Sequence, residues 1–337
     1  MAVSNLDIQP AETVCGAGDS VPPPAAIAVL QPRQVPLGGP RAMNVRRTLP
    51  QRQRSLIGGW CFVDHYGPDP VAQTGGMSVP PHPHTGLQTV SWLFSGEIEH
   101  RDSAGNHVYV RPGELNLMTA GRGISHSEVS TPATCTLHGV QLWVALPAAT
   151  RFTNPCFEHY VPDILTETGY TAAVFLGSLL GQSSPVATYS RLLGAELSIT
   201  AGGRAELPAD LAFEHGVLVD TGAVMVNGTP VGRAELAYVP PGTGTLEILA
   251  TAGSGARVLL LGGEPLGEQI VMWWNFIGRS HAEIAEYRAN WQAEIGPAQA
   301  TPANGALVAQ FGLPAGDPLP PIPAPPLPKN VTLRPRS

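Results

Sequence analysis

Over most of this chain apolar and polar residues alternate in short runs, the period-two signature of half-buried strands rather than the 3.6-residue spacing of helices. Residues 87–94 form the clearest run, with Val90, Trp92 and Phe94 on one face. Asp102-Ser103-Ala104-Gly105-Asn106 then turns the chain into residues 107–110, a predicted hairpin. Arg111-Pro112-Gly113-Glu114 makes a second turn before 115–118, and 137–146 supplies a long strand around Trp143. Fainter strands are expected at 195–199, 216–220, 223–226, 234–239 and 245–250, punctuated by Asn227-Gly228 and Pro240-Pro241-Gly242. Regular short strands in both halves predict an all-β chain of two tandem β-barrels.

One segment breaks that period. Ser280-His281-Ala282-Glu283 is a capping box, with the serine oxygen placed to accept from a free N–H and the glutamate to reach back. Ile284, Tyr287, Trp291 and Ile295 then share a helical face, and Gly296-Pro297 stops the run, so a helix over 281–295 is expected to pack on a barrel. Residues 1–25 and 297–337 are rich in Pro, Gly, Ala and Ser, with little apolar surface to offset ordering, and are expected to be flexible tails of polyproline II character. Two domains, 26–160 and 161–296, remain between them.

Composition narrows the function classes. With a charged fraction of 13%, a net charge of −7 and no dense basic run, the chain offers no bare basic face for nucleic acid. Lys329 is the only lysine, which removes lysine chemistry from the folded region. Cys15, Cys61, Cys135 and Cys156 show no C-x-x-C spacing, no signal pattern opens the chain and no stretch is apolar for long enough to span a bilayer. A monomeric protein of the reducing cytoplasm is the expectation, with its thiols packed rather than redox-active.

Two short segments carry the chemistry. Pro81-His82-Pro83-His84 and His126-Ser127-Glu128 each offer two metal ligands at i, i+2, and on a strand residues two apart share a face. Each pair can therefore aim both ligands at one point. Three imidazoles and a carboxylate suit one divalent transition metal, with Fe(II), Ni(II), Cu(II), Mn(II) and Zn(II) all open on ligand type. This pattern predicts a mononuclear site inside a β-barrel.

Gly76, the His82-x-His84 pair and Gly96 resemble the first cupin motif, although Gln88 and Thr89 occupy the two places where its glutamate falls. The blocks Pro81–His84, Asp102–Asn106, Met118-Thr119-Ala120-Gly121-Arg122-Gly123-Ile124-Ser125-His126-Ser127-Glu128 and Gln141-Leu142-Trp143-Val144 together resemble the pirin family. Asp64-His65-Tyr66-Gly67-Pro68, Gly263-Glu264-Pro265-Leu266 and Trp274–Ser280 extend the resemblance, which spans roughly residues 30 to 295.

That resemblance implies two tandem cupin, jelly-roll-like barrels with a C-terminal helix, the first holding a metal, usually iron, through His82, His84, His126 and Glu128. It implies either of two functions. One is a dioxygenase of the quercetin 2,3-dioxygenase type, acting with O2 on a flavonol-like substrate, with Glu128 taking the substrate's hydroxyl proton. The alternative is a non-enzymatic, metal- or redox-dependent regulator of a transcription factor or metabolic enzyme. Gln88 stands where the family commonly has a glutamate near the chemistry, which predicts slowed turnover because an amide is no general base. His65 is a candidate border of the metal pocket or a core residue beside Asp64, and Arg122 a candidate anion guide or a partner of Glu97 or Glu114. His100, His107, His138 and His215, without ligand-spaced partners, read as structural or surface residues.

Overall fold

A computed structural model describes residues 13–15, 27–37, 43–296, 309–329 and 331–335. The described chain is two β-sandwiches built alike, each a seven-stranded sheet facing a four-stranded one. In the first, the large sheet runs Cys156–Tyr160, Leu115–Thr119, Leu87–Ser95, Thr136–Ala145, Trp60–Pro70, Met43–Leu49, Arg33–Leu37, and the small one runs Ser78–His84, Ile124–Ser130, Ile98–Asp102, His107–Val110. The predicted tandem cupin architecture with one long C-terminal helix is the observed one.

Central strands of the first large sheet have two apolar destinations. One face of Thr136–Ala145 sends Trp143 and Ala145 into the first barrel's core beside Phe62 and Tyr66. The other face sends Val140, Leu142 and Val144, with Val90 and Trp92 from the neighbouring strand, against Phe175, Leu218, Leu259 and Leu261 of the second barrel. Both faces are buried, so strict alternation between apolar and polar is lost there. The two large sheets thus pack against each other and fuse the barrels through a shared apolar layer, worth roughly 25 cal/mol per Å² of apolar area removed from water.

Chain segments cross the expected boundary at residue 160. Ala28–Leu30 pairs with Leu236–Tyr238 in the second barrel's large sheet, although it precedes the first barrel in sequence. Ile270, Met272 and Ile277, which follow the second barrel, lie in the first barrel's core, and the Ile277 N–H donates to the Thr85 carbonyl at 3.1 Å.

The helix His281–Ile295 forms as its sequence predicts, with Ser280 Oγ accepting from the Glu283 N–H at 3.2 Å. Glu283 does not close the reciprocal half of a capping box. It accepts from the Arg279 N–H at 2.8 Å and pairs with Arg151 of the first barrel. Ile284, Tyr287 and Trp291 bury their side chains with Trp273, Trp274 and Phe276.

The C-terminal tail requires a correction. Residues 297–308 lie outside the described residues, but 309–329 and 331–335 dock as an irregular strap. Phe311, Ala324 and Leu333 are buried against the helix and Phe276. The Trp291 indole N–H donates to the Ile322 carbonyl at 2.8 Å, and the Ile322 N–H donates to the Pro81 carbonyl at 2.8 Å. Ser125 Oγ donates to the Gly312 carbonyl at 2.7 Å, and Ser127 Oγ donates to Asp317. A proline-rich segment has no N–H groups to satisfy at its prolines and a stiff backbone to order, so a few apolar anchors and carbonyl acceptors suffice to hold it. Of the predicted N-terminal tail, Thr13–Cys15 pairs with Ile270–Met272, and the rest lies outside the described residues. No helix among the described residues is long and apolar enough to cross a membrane.

Candidate metal centre

The small sheet of the first barrel places the two ligand-spaced segments side by side. Ser78–His84 pairs antiparallel with Ile124–Ser130, and His126 stands directly opposite His82. A register shift between His126 and Glu128 keeps Glu128 on the inward face while re-aiming it along the strand. Alternation divides the work of each strand. His82, His84, His126 and Glu128 point inward with no solvent exposure, whereas the neighbouring Ser125 and Ser127 hydroxyls and the Pro81 carbonyl bond the C-terminal strap.

Two of the imidazoles have their tautomers set by backbone carbonyls, which can only accept. His82 Nδ1 lies 2.9 Å from the Pro80 carbonyl and His84 Nδ1 3.2 Å from the Asn275 carbonyl, so each Nδ1 donates and each Nε2 keeps its lone pair. His82 Nε2 has no hydrogen-bond partner, and His84 Nε2 faces His126 Nε2 at 3.1 Å. The ligand nitrogens of all three histidines fall within 4.8 Å of one another. Two nitrogens bound at about 2.1 Å to one ion at roughly a right angle stand about 3 Å apart, so the observed pair fits neighbouring ligands.

Glu128 lies two residues along the strand from His126, with no solvent exposure. Its Oε1 accepts from Ser91 Oγ at 3.0 Å, and its Oε2 is buried without a partner. Glu128 and His126 form a second close group with His100 rather than with His82 and His84.

Burial holds His82 down to about 3, and burial with neighbouring imidazoles holds His84 and His126 well below the usual histidine range. All three are neutral near pH 7, the state that ligates. Burial pushes Glu128 up, partly opposed by His100 and Ser91. A buried carboxylate beside convergent nitrogen lone pairs is costly without a cation, so the donor set fits a divalent metal.

Several sequence expectations change here. Gln88 does not face this centre. It lies on the face of its strand that carries Val90 and Trp92 toward the second barrel, and its amide donates to Thr119 Oγ1 at 2.9 Å. The inward positions of that strand are Thr89 and Ser91, which stand opposite Trp143 and Gln141. His65 does not border the centre either. Its Nε2 donates to Asp220 Oδ1 at 2.7 Å, and His138 Nε2 donates to the same oxygen at 2.6 Å, joining the two barrels. These three residues are close enough to share an ion, but Arg46 lies against His65 and Arg257 pairs with the other Asp220 oxygen, which disfavours an additional cation. Arg122 meets neither Glu97 nor Glu114, and instead donates to Asn154 at 2.7 Å.

The remaining lone histidines divide. His107 pairs with Glu99 at the surface, and His215 is buried in the second barrel, held to about 4 by burial. His100 is 3% exposed, on the inward face of Ile98–Asp102 beside Glu128. The signal for it was present as the His100-x-Asp102 spacing just before the hairpin turn. Ser91 and Asn275 carried no such signal, because only the sheet register and the pairing of the C-terminal segment bring them in. Cys61 is buried as expected, whereas Cys135 is exposed.

Two cupin barrels in one chain, with a convergent histidine cluster inside the first, define a bicupin. Residues 42–144 match the Pirin family model and residues 194–295 the Pirin C-terminal cupin domain model. The chain belongs to the pirin family. It is 45% identical over 262 residues to a Pseudomonas aeruginosa protein named as a putative quercetin 2,3-dioxygenase, covering 77% of this chain and 82% of that one. A pirin-like protein of Caulobacter vibrioides is 36% identical, covering 74% of this chain and 88% of its own length. Among solved structures, quercetin 2,3-dioxygenase from Acinetobacter baumannii superposes with a TM-score of 0.81 at 34% identity, covering 91% of this chain and 98% of that one.

Proposed function

We propose that the protein is a metal-dependent dioxygenase of the pirin type, opening the ring of a flavonol-like substrate with O2. His82, His84, His126 and Glu128 are the ligands, and Fe(II) is the first candidate, with Ni, Cu, Mn and Zn as alternatives of compatible ligand type. The observation that carries the reading is the convergence of three buried imidazoles, with ligand nitrogens within 4.8 Å of one another and two of them 3.1 Å apart, beside a Glu128 Oε2 that lacks a partner. The names of the similar proteins support the substrate class.

A bound divalent ion supplies Lewis acidity toward an enolate oxygen and a place for O2. The protein's own residues handle orientation and the proton. Glu128 accepts the substrate's hydroxyl proton, and Ser91 Oγ, donating to its Oε1 at 3.0 Å, fixes the orientation of the carboxylate. Trp143, whose ring centroid is 5.1 Å from that of His84, together with Phe62 stacked on it at 4.1 Å, supplies an apolar aromatic wall. That wall suits a flat aromatic substrate and excludes water.

One observation favours the second reading, a regulator that reports the metal's state to a protein partner. All four proposed ligands have no solvent exposure, so a flavonol reaches them only after a wall element is displaced. The discriminating experiment is anaerobic loading with each metal followed by oxygen uptake with a flavonol panel, alongside His126→Ala and Glu128→Ala. Turnover by the loaded protein and loss of metal in both variants support the enzyme. Tight metal with no turnover supports the regulator, and full metal retention in both variants refutes the ligand set.

A further inference from the structure

Resting on that ligand set, we propose that His100 and Asp102 form a positioning relay that sets the tautomer of His126 and thereby its capacity to bind the metal. His82 and His84 each donate Nδ1–H to a backbone carbonyl, but His126 has no carbonyl at that position. Its Nδ1 faces His100 Nδ1 at 3.4 Å, and His100 Nε2 faces Asp102 Oδ2 at 3.3 Å.

The protons along this chain follow from one end. Asp102 Oδ1 accepts from the Ala104 and Asn106 backbone N–H groups at 2.9 and 3.0 Å, and the Asn106 amide donates to both carboxylate oxygens. Three N–H donor groups thus converge on this carboxylate, an arrangement that suits its ionised, accepting form. An ionised carboxylate has no proton to give, so His100 Nε2 is the donor. In a neutral imidazole that leaves His100 Nδ1 as an acceptor. His126 Nδ1–H then donates to it, and His126 Nε2 carries a lone pair aimed at His84 Nε2, 3.1 Å away. Two lone pairs at that distance repel unless a cation lies between them. The relay therefore stores the histidine cluster in the one protonation pattern that a metal relieves.

The sequence that does this is compact. Ile98–Asp102 pairs with Ile124–Ser130, with Asp102 opposite His126 and His100 opposite Glu128. The hairpin turn Asp102–Asn106 is thus both the end of a strand and the anchor of the relay. Metal-bound histidines elsewhere commonly donate their second nitrogen to a carboxylate or carbonyl, and loss of that partner costs ten- to a hundredfold in affinity. Here an intervening imidazole extends the reach from carboxylate to ligand.

The test is metal affinity of the full-length protein, read by chelator competition with Co(II) and by the Co(II) visible spectrum. His100→Phe fills the space without an acceptor and is expected to weaken Co(II) binding by about ten- to a hundredfold. His100→Asn, which returns an oxygen acceptor near the Nδ1 position, is expected to recover most of that loss with a wild-type spectrum. Asp102→Asn changes no volume and keeps an acceptor for the turn, but turns an amide donor toward His100 Nε2. It is expected to weaken binding as His100→Phe does, and the double variant to be no weaker than His100→Phe alone. Wild-type affinity in His100→Phe and in Asp102→Asn, or an Asn variant no better than Phe, overturns the relay. A spectrum showing one nitrogen ligand fewer in His100→Asn also overturns it, since His100 would then be a ligand itself. Should His100→Phe not fold, Asp102→Asn alone decides. Failure of the wild-type protein to bind Co(II) overturns the metal-centre reading as well, which separates the two.

Discussion

Asp220 is a residue whose removal should cost the fold heavily. It belongs to the second barrel, has no solvent exposure, and accepts at Oδ1 from both His65 and His138 of the first barrel while Oδ2 pairs with Arg257 at 2.6 Å. Burial works to raise this carboxyl, but the hydrogen bonds from His138 and His65 outweigh it and leave Asp220 well below the usual range. Asp220→Ala strands two buried imidazole donors and removes the partner of a guanidinium that is only partly exposed. Each hydrogen bond to a charged group is worth about 1.5–3 kcal/mol, and breaking a buried pair costs about 3–5 kcal/mol. The Arg257 contribution is smaller, because its side chain is 26% exposed and water screens it. A loss of about 3–5 kcal/mol is therefore expected, and somewhat less for Asp220→Asn, which still accepts from the histidines but turns an amide donor toward Arg257. Urea denaturation followed by tryptophan fluorescence measures it, with Co(II) affinity as the control, since Asp220 groups with His65 and His138 and not with the proposed ligands. A loss below about 1 kcal/mol in Asp220→Ala would refute the reading of this trio as the polar lock between barrels.

Deletion of residues 309–337 should lower the melting temperature by several degrees, because it uncovers Trp291 and Phe276 and removes the Phe311, Ala324 and Leu333 anchors; an unchanged melting temperature would show that the strap contributes nothing. For the metal-free protein, burial holds His65 and His215 to about 4 against an ordinary 6.5. The unfolded chain therefore binds more protons between those values, and stability should fall as pH drops from 6.5 toward 4, by about 3 kcal/mol per histidine at the acid end. Denaturant midpoints across that range check the sign, and a midpoint that rises toward acid contradicts it. Gln88→Glu should not raise flavonol turnover, since residue 88 faces the second barrel with no exposure. Instead a carboxylate there should destabilise by about 1–3 kcal/mol for want of a partner, and faster turnover at equal metal content would overturn that placement.

What the sequence determined by itself was everything that depends on local periodicity and spacing. The alternation of Val90, Trp92 and Phe94, the turn at Asp102–Asn106 and the Ser280 cap are each set within a few residues, and the strands, hairpin and helix follow from them. The i, i+2 spacing likewise put His82 with His84 and His126 with Glu128 on shared faces, because strand geometry is local. Which face was inward was not local. Gln88 reads as a site residue by its distance from His84, yet the sheet turns it toward a second barrel whose existence gives that strand two buried faces. His65, His138 and Asp220 are brought together only where the two large sheets pack, across 155 residues between His65 and Asp220. His100 read as a structural or surface residue, because its place beside His126 is a matter of register between two strands that the turn alone does not fix. The proline-rich tail shows the same division, since its composition predicts no core of its own and only the helix and the outward faces of the ligand strands supply the surface on which it docks.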